Sequence, residues 1–136
     1  MTAPNHSIQE LLQLAIKTAV NAHAPYSKFP VGCVIVDARR QVHIGCNVEN
    51  ASFGLTMCAE RVATGSAIAA GATAFETVII ASQGAVSPCG ACRQVLAEFC
   101  SRETKIICVD LDNANQQEHT LADLLPQQFE FPTTDQ

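Results

Sequence analysis

Two short stretches hold most of the reactive residue types in this chain: Cys58-Ala59-Glu60 and Pro88-Cys89-Gly90-Ala91-Cys92, with 27 residues between them. Cys89 and Cys92 are three apart at a predicted helix start, so both sulfurs can turn to one point. Cys58 opens another predicted helix. The partial positive charge at a helix N-terminus favours thiolates, and thiolates are what zinc binds. Three protein ligands leave a fourth position for water, the mark of a catalytic rather than a structural zinc site. Glu60 stands two residues from Cys58, a spacing that does not share a helix face. That puts it beside the water as a proton carrier rather than among the ligands. A structural zinc site with a fourth ligand elsewhere is the alternative at this point.

Three thiolates around one dication leave excess negative charge, which opposes ionisation of water there. Arg61 and Arg93 each follow a ligand segment directly. Either can donate to sulfur and offset the charge. Arg61 is favoured for that role, and Arg93 stands equally as a solvent-facing ion-pair residue.

The elements that must position these groups follow from periodicity. Ile8, Leu11, Leu12, Ala15, Ile16, Ala19 and Val20 recur at helical spacing. They predict a helix over Ser7–His23, capped by Ser7 and ended by Ala24-Pro25. Cys33–Val36 is a short apolar, β-branched run and predicts a buried strand. Asp37–Gln41 turns the chain, without the glycine expected of a tight hairpin, into a partner strand over Val42–Cys46. Cys58–Ala70 is Ala-rich and stops at Gly71, as a helix does. Thr77–Ala81 and Lys105–Leu111 predict two more strands. Cys89–Phe99 predicts a helix with Pro88 at its start. Thr120 and Asp123 form a capping box for a short helix over Leu121–Leu125. This order predicts a layered α/β domain with a mixed sheet, one domain spanning residues 1–136.

Composition narrows the classes. Hydrophobic residues make up 48% of the chain and charged residues 15%, a small charged share that points to surface buried against other copies. The net charge is −5 and the longest basic run is Arg39-Arg40. A partner with many phosphates needs a basic face, so no nucleic acid polymer is expected. No apolar run approaches the roughly 18 residues of a membrane span, and Met1–Glu10 lacks a signal-peptide core. These features predict a cytoplasmic protein without a membrane partner. Seven cysteines, an odd number at uneven spacing, read as ligands or core filler. Cys33, Cys46, Cys100 and Cys108 are assigned to the core. His6, His23, His43 and His119 are assigned to the surface.

Together these motifs resemble those of the small cytidine deaminases. The resemblance runs from about Ala24 to Phe129. It rests on Tyr26-Ser27-Lys28-Phe29-Pro30-Val31-Gly32, Gly45-Cys46-Asn47-Val48-Glu49-Asn50-Ala51-Ser52, Cys58-Ala59-Glu60-Arg61, Ser87-Pro88-Cys89-Gly90-Ala91-Cys92-Arg93-Gln94 and Leu124-Leu125-Pro126-Gln127-Gln128-Phe129. It implies a three-layer α/β/α sandwich, a homotetramer, zinc on Cys58, Cys89 and Cys92, and a pyrimidine-salvage reaction. Cytidine or deoxycytidine would be deaminated hydrolytically at C4, with Glu60 shuttling protons. Asn47 and Glu49 would bond the ribose hydroxyls, with Glu49 only accepting. Phe29 would line the base pocket, and the backbone at Ala59 and Ser87 would meet the base edge. Phe129 would reach a neighbouring subunit's site, a part Phe131 could play instead. Ordinary readings stand beside these: Asn47 and Glu49 as turn residues, Phe29 as core. The segment 82–87 is short and uncharged where many relatives are longer and acidic. Deamination of a modified cytosine nucleoside or nucleoside antibiotic is the alternative activity. Further off lie deamination within RNA or DNA, and a non-catalytic zinc module.

Overall fold

A computed structural model describes residues 5–133; the ends of the expected 1–136 domain, residues 1–4 and 134–136, lie outside the described residues. The chain begins with helix α1, Ile8–Ala19, then strands β1, Gly32–Asp37, and β2, Val42–Cys46. A 3-10 turn at Phe53–Leu55 leads to α2, Ala59–Ala69, followed by β3, Phe75–Ser82, and α3, Gly90–Ala97. Strands β4, Cys100–Asp110, and β5, Gln116–Thr120, precede α4, Leu121–Leu124.

The five strands form one sheet in the order β2-β1-β3-β4-β5. The β3–β4 pair is parallel and the others antiparallel, so the sheet is mixed. Side chains alternate between its faces. Val34, Val36, Ile79, Ala81, Ile107 and Val109 pack with Leu11, Leu12 and Ala15 of α1. Cys33, Ile35, Val78, Ile80, Ile106 and Cys108 pack with Ala59, Ala63 and Ala67 of α2, Leu96 of α3 and Leu121 and Leu124 of α4. The result is the three-layer α/β/α arrangement expected.

Two glycines set how close the layers approach. A Cβ on Gly32 would fall 2.1 Å from the Ala15 carbonyl oxygen of α1. A Cβ on Gly45 would fall 2.3 Å from the Ala63 amide nitrogen of α2. Backbone atoms cannot yield at those distances, so both helices rest directly on the sheet.

Several boundaries differ from expectation. Helix α1 ends at Ala19, not His23, because His23 is spent on another pairing: its N–H donates to Asn47 O at 3.0 Å and its carbonyl accepts from Glu49 N at 2.8 Å. Helix α3 covers Gly90–Ala97, with Pro88 outside it and Cys89 as the N-cap. Strand β5 was not expected, since Gln116–Thr120 shows no apolar alternation; it is an exposed edge strand held by backbone pairing to β4. The β1–β2 turn manages without glycine. Arg40 adopts φ 68°, and Asp37 Oδ1 accepts from the backbone N–H of Arg39 and Gln41 at 2.8 and 2.9 Å. His43 is buried, not on the surface, because its Nε2 lies 2.9 Å from Asp37 Oδ2, which is itself buried. Cys33 and Cys108 are core residues, whereas Cys46 and Cys100 are half-buried.

Candidate active site

Helices α2 and α3 share the same sheet face, and their N-termini converge. Cys58 is the N-cap of α2 and Cys89 the N-cap of α3, both in extended conformation. Cys92 lies one turn into α3 and is fully buried. The three Sγ atoms lie within 4.8 Å of one another. Sulfurs around one tetrahedral zinc stand about 3.8 Å apart, from the usual zinc–sulfur bond length. The donor set and its spacing therefore fit zinc after a small contraction.

The thiols are not equivalent. Burial raises Cys89, but the backbone N–H groups of Cys92 and Ala91, with the Cys92 and Cys58 thiols, outweigh it and leave Cys89 lowered. Burial, with Glu60 and Cys58 nearby, pushes Cys92 well up. Three thiolates this close repel one another, and a cation among them relieves that repulsion.

Glu60 sits in the first turn of α2 at 5% exposure. Burial raises its carboxyl above the ordinary range, against the opposing pull of its own backbone N–H and of Arg61. A carboxyl raised in this way holds a proton more readily than a solvent-exposed glutamate does, which suits a proton carrier. The Arg61 guanidinium donates to Cys58 Sγ at 3.5 Å and to the Thr56 carbonyl at 3.4 Å. Arg93 touches no sulfur and makes no ion pair with a carboxylate among the described residues; it donates to Pro88 O, Leu124 O and Ser87 Oγ.

A cavity of about 420 Å³ opens onto Cys58, Cys89 and Glu60. Phe29, Asn47, Glu49, Ala59 and Ser87 also line it, so the fold brings these expected residues together from four segments. Among the described residues, Glu49 and Glu60 are the charged groups in the lining besides the thiols, and no Lys or Arg lines it. The loop 26–31 forms one wall, and residues 47 and 49 hold it. Asn47 Oδ1 accepts from Val31 N at 2.9 Å and its Nδ2 donates to Phe29 O at 2.9 Å. Glu49 accepts from Tyr26 N at 2.9 Å, from Ser27 N at 3.1 Å and from the Ser27 hydroxyl. The Ser27 hydroxyl does most to hold the Glu49 carboxyl below its usual range. Each of these two side chains keeps spare capacity: one hydrogen and one lone pair on Asn47, and one lone pair on Glu49 Oε2.

Phe129 does not line this cavity. It is 67% exposed and shares a separate groove with Gln94, Ala97 and Glu98 of the α3 end; Phe131 is 82% exposed and lines the same groove. Residues not singled out from sequence also line the cavity, among them Ser27, Thr56 and Val86. Ser27 was within reach of sequence reasoning, as part of the same Tyr26–Gly32 motif as Phe29.

Residues 5–108 match the family model for the cytidine and deoxycytidylate deaminase zinc-binding region. The chain is similar to a cytidine deaminase of Sporosarcina psychrophila, 40% identical over 124 residues that cover 90% of each chain. A cytidine deaminase of Halalkalibacterium halodurans is 41% identical over 123 residues, 89% of this chain and 92% of that one. Among solved structures, a cytidine deaminase from Burkholderia pseudomallei superposes with a TM-score of 0.86 at 38% identity, covering 91% of this chain and all of the other. One from Mycobacterium tuberculosis gives 0.79 at 34% identity over 93% of this chain and all of the other.

Proposed function

The chain belongs to the cytidine and deoxycytidylate deaminase zinc-binding family, and on that premise we propose that it hydrolyses the C4 amino group of free cytidine and deoxycytidine in pyrimidine salvage, giving uridine or deoxyuridine and ammonia. The observation that carries this is the charge of the cavity: a thiolate cluster and a buried Glu60, with Glu49 the other charged residue and no cation to receive a phosphate. A free nucleoside suits such a lining; a nucleotide, with its phosphate, is repelled.

Cys58, Cys89 and Cys92 would hold the zinc, and Arg61, which donates to Cys58 Sγ, would offset part of their charge. Zinc supplies Lewis acidity that makes water a nucleophile near neutral pH. Glu60 accepts the proton of the attacking water and delivers it to ring N3. Carbon C4 becomes tetrahedral; Glu60 then takes the remaining hydroxyl proton and hands it to the amine, the C4–N bond breaks, and ammonia leaves as the C4 carbonyl forms. Glu49 accepts from the ribose diol, Asn47 adds its spare polar capacity, and Phe29 packs on the base. The backbone at Ala59 and Ser87 meets the base edge.

The working enzyme is a cytoplasmic homotetramer in which residues 1–136 form one catalytic unit. Support comes from the large apolar side chains that one chain leaves exposed: Val20 at 81%, Phe53 at 73% and Leu55 at 66%. Phe129 completes a neighbouring copy's site. Seven unpaired cysteines fit a reducing compartment. No helix of the described residues is long and apolar enough to cross a membrane.

One feature favours a second substrate class. Val86, 45% exposed, puts an uncharged apolar side chain on the cavity lining, a surface that suits an apolar substituent on a modified cytosine. The deciding experiment follows loss of the cytosine chromophore with cytidine, deoxycytidine, deoxycytidylate and a base-modified cytidine, alongside zinc analysis. Turnover of the two nucleosides with about one zinc per chain supports the main reading. Zinc without turnover of any plain nucleoside moves the activity to the modified class. Preference for deoxycytidylate refutes the charge argument.

A further inference from the structure

We propose that Arg93 is a positioning residue that ties the cavity wall at Ser87–Pro88 to the segment carrying Phe129. Its guanidinium spans three acceptors on two segments. Nε donates to Pro88 O at 2.7 Å, Nη2 to Ser87 Oγ at 2.9 Å and Nη1 to Leu124 O at 2.8 Å. Ser87 and Pro88 line the cavity, and the next residue, Cys89, is both N-cap of α3 and a member of the thiolate cluster. The wall needs such a brace. Residues 83–89 belong to no helix or strand, Gly84 and Ala85 take positive φ values of 84° and 52°, and Pro88 has no N–H with which to anchor itself.

The other end of the brace is equally specific. Leu124 is the last residue of the four-residue helix α4, and its carbonyl has no partner further along the helix. Beyond it, Arg102 of β4 takes over, donating to Pro126 O at 3.1 Å and Gln128 Oε1 at 2.9 Å. Two arginines thus fix residues 124, 126 and 128, immediately before Phe129. Arg93 is the member that also touches the wall. Only a planar fork reaches three acceptors in three directions; a lysine ammonium is a point charge on a flexible stem. Through this one side chain the wall of one site and the aromatic offered to its neighbour are held in register.

The inference rests on the substrate reading above, so the test has two readouts. The first is steady-state kinetics with cytidine, plus zinc analysis, on wild type, Arg93→Gln, Arg93→Lys and Arg102→Gln. Arg93→Gln is expected to raise KM about tenfold, the worth of one charge-assisted hydrogen bond, with kcat nearly unchanged and zinc retained. Arg93→Lys does not rescue it. Arg102→Gln, which leaves the wall intact, raises KM less. The second readout, hydrogen exchange, needs no substrate: Arg93→Gln speeds exchange in peptides covering 83–89 and 121–129 together, whereas Arg102→Gln does so only in the latter. A wild-type KM in Arg93→Gln overturns the proposal, as does zinc loss parallel to activity loss, which would make Arg93 a support of the thiolates. Unchanged exchange in either segment overturns it also. If Arg93→Gln fails to fold, Ser87→Ala removes one of the three bonds and must still speed exchange at 83–89. An inactive wild type refutes the substrate reading and leaves the exchange result to decide this one.

Discussion

Cys58 and Cys89 occupy the same position on two different helices: each is the N-cap, with a thiol where an oxygen acceptor is usual. Ser, Thr, Asp or Asn would serve the helix better there. The sulfurs instead face each other across 4.8 Å or less, at the positive ends of two helices. Helix stability has been exchanged for a thiolate site. Cys58→Ser should show the exchange directly. Thermal denaturation of the metal-free variant is expected to match or exceed that of the metal-free parent, by up to about 1 kcal/mol. Zinc content, measured by elemental analysis, should fall away.

Gly45 sets the seat of α2, and through it the positions of Cys58 and Glu60. Gly45→Ala puts a methyl 2.3 Å from Ala63 N and 2.8 Å from Ala59 O. Overpacking against backbone costs about 1–3 kcal/mol, and the helix must lift. Lower stability in urea and weaker zinc retention are expected together. Gly65→Ala is the control, since nothing lies within 4 Å of a Cβ there. In mid-helix it should stabilise by about 0.5–1 kcal/mol and leave zinc untouched.

Asn47 is more than a turn residue, because both ends of its amide are bonded to the loop bearing Phe29. Asn47→Ala leaves Val31 N and Phe29 O without those partners, at a cost of about 1–3 kcal/mol. Asn47→Asp can still accept from Val31 N but sets a carboxylate against the Phe29 carbonyl. It should be no better than Ala in chemical denaturation. An aspartate variant as stable as the parent would show that the amide's hold on Phe29 is unimportant.

Asp37 governs behaviour in acid. Burial raises its carboxyl, but bonds from His43, Gln41 and Arg39 prevail and bring it from 3.8 to about 2. A folded value below the unfolded one means its contribution is complete above about pH 4 and drains away as the pH falls towards 2. That contribution is about 2 kcal/mol. The unfolding free energy measured between pH 5 and pH 2 should fall accordingly. His43→Leu should flatten that slope, since the bond that most lowers Asp37 is gone.

Local chemistry was legible in the sequence. Periodicity placed the cores of four helices and four strands; the Ser7 cap and the Thr120–Asp123 capping box form as read, and Glu10 completes a box at Ser7 that was not expected. Cys58, Glu60, Cys89 and Cys92 stood out because zinc chemistry requires those residue types at helix starts, and spacing is a property of the chain itself. Strand β5 was invisible, since an exposed edge strand needs only backbone pairing and leaves no hydrophobic pattern. His43 was misassigned for a similar reason: its partner Asp37 comes close only once β1 and β2 pair. Arg93 adjoins a ligand in sequence, yet its side chain leaves the sulfurs for Ser87, Pro88 and Leu124, the last of them 31 positions away. The sequence alone determined which atoms can bind zinc and carry protons. Only the tertiary structure decided which polar groups they share a cavity with and which side chains merely hold its walls, because those partners come from segments distant in sequence and meet only when the sheet closes.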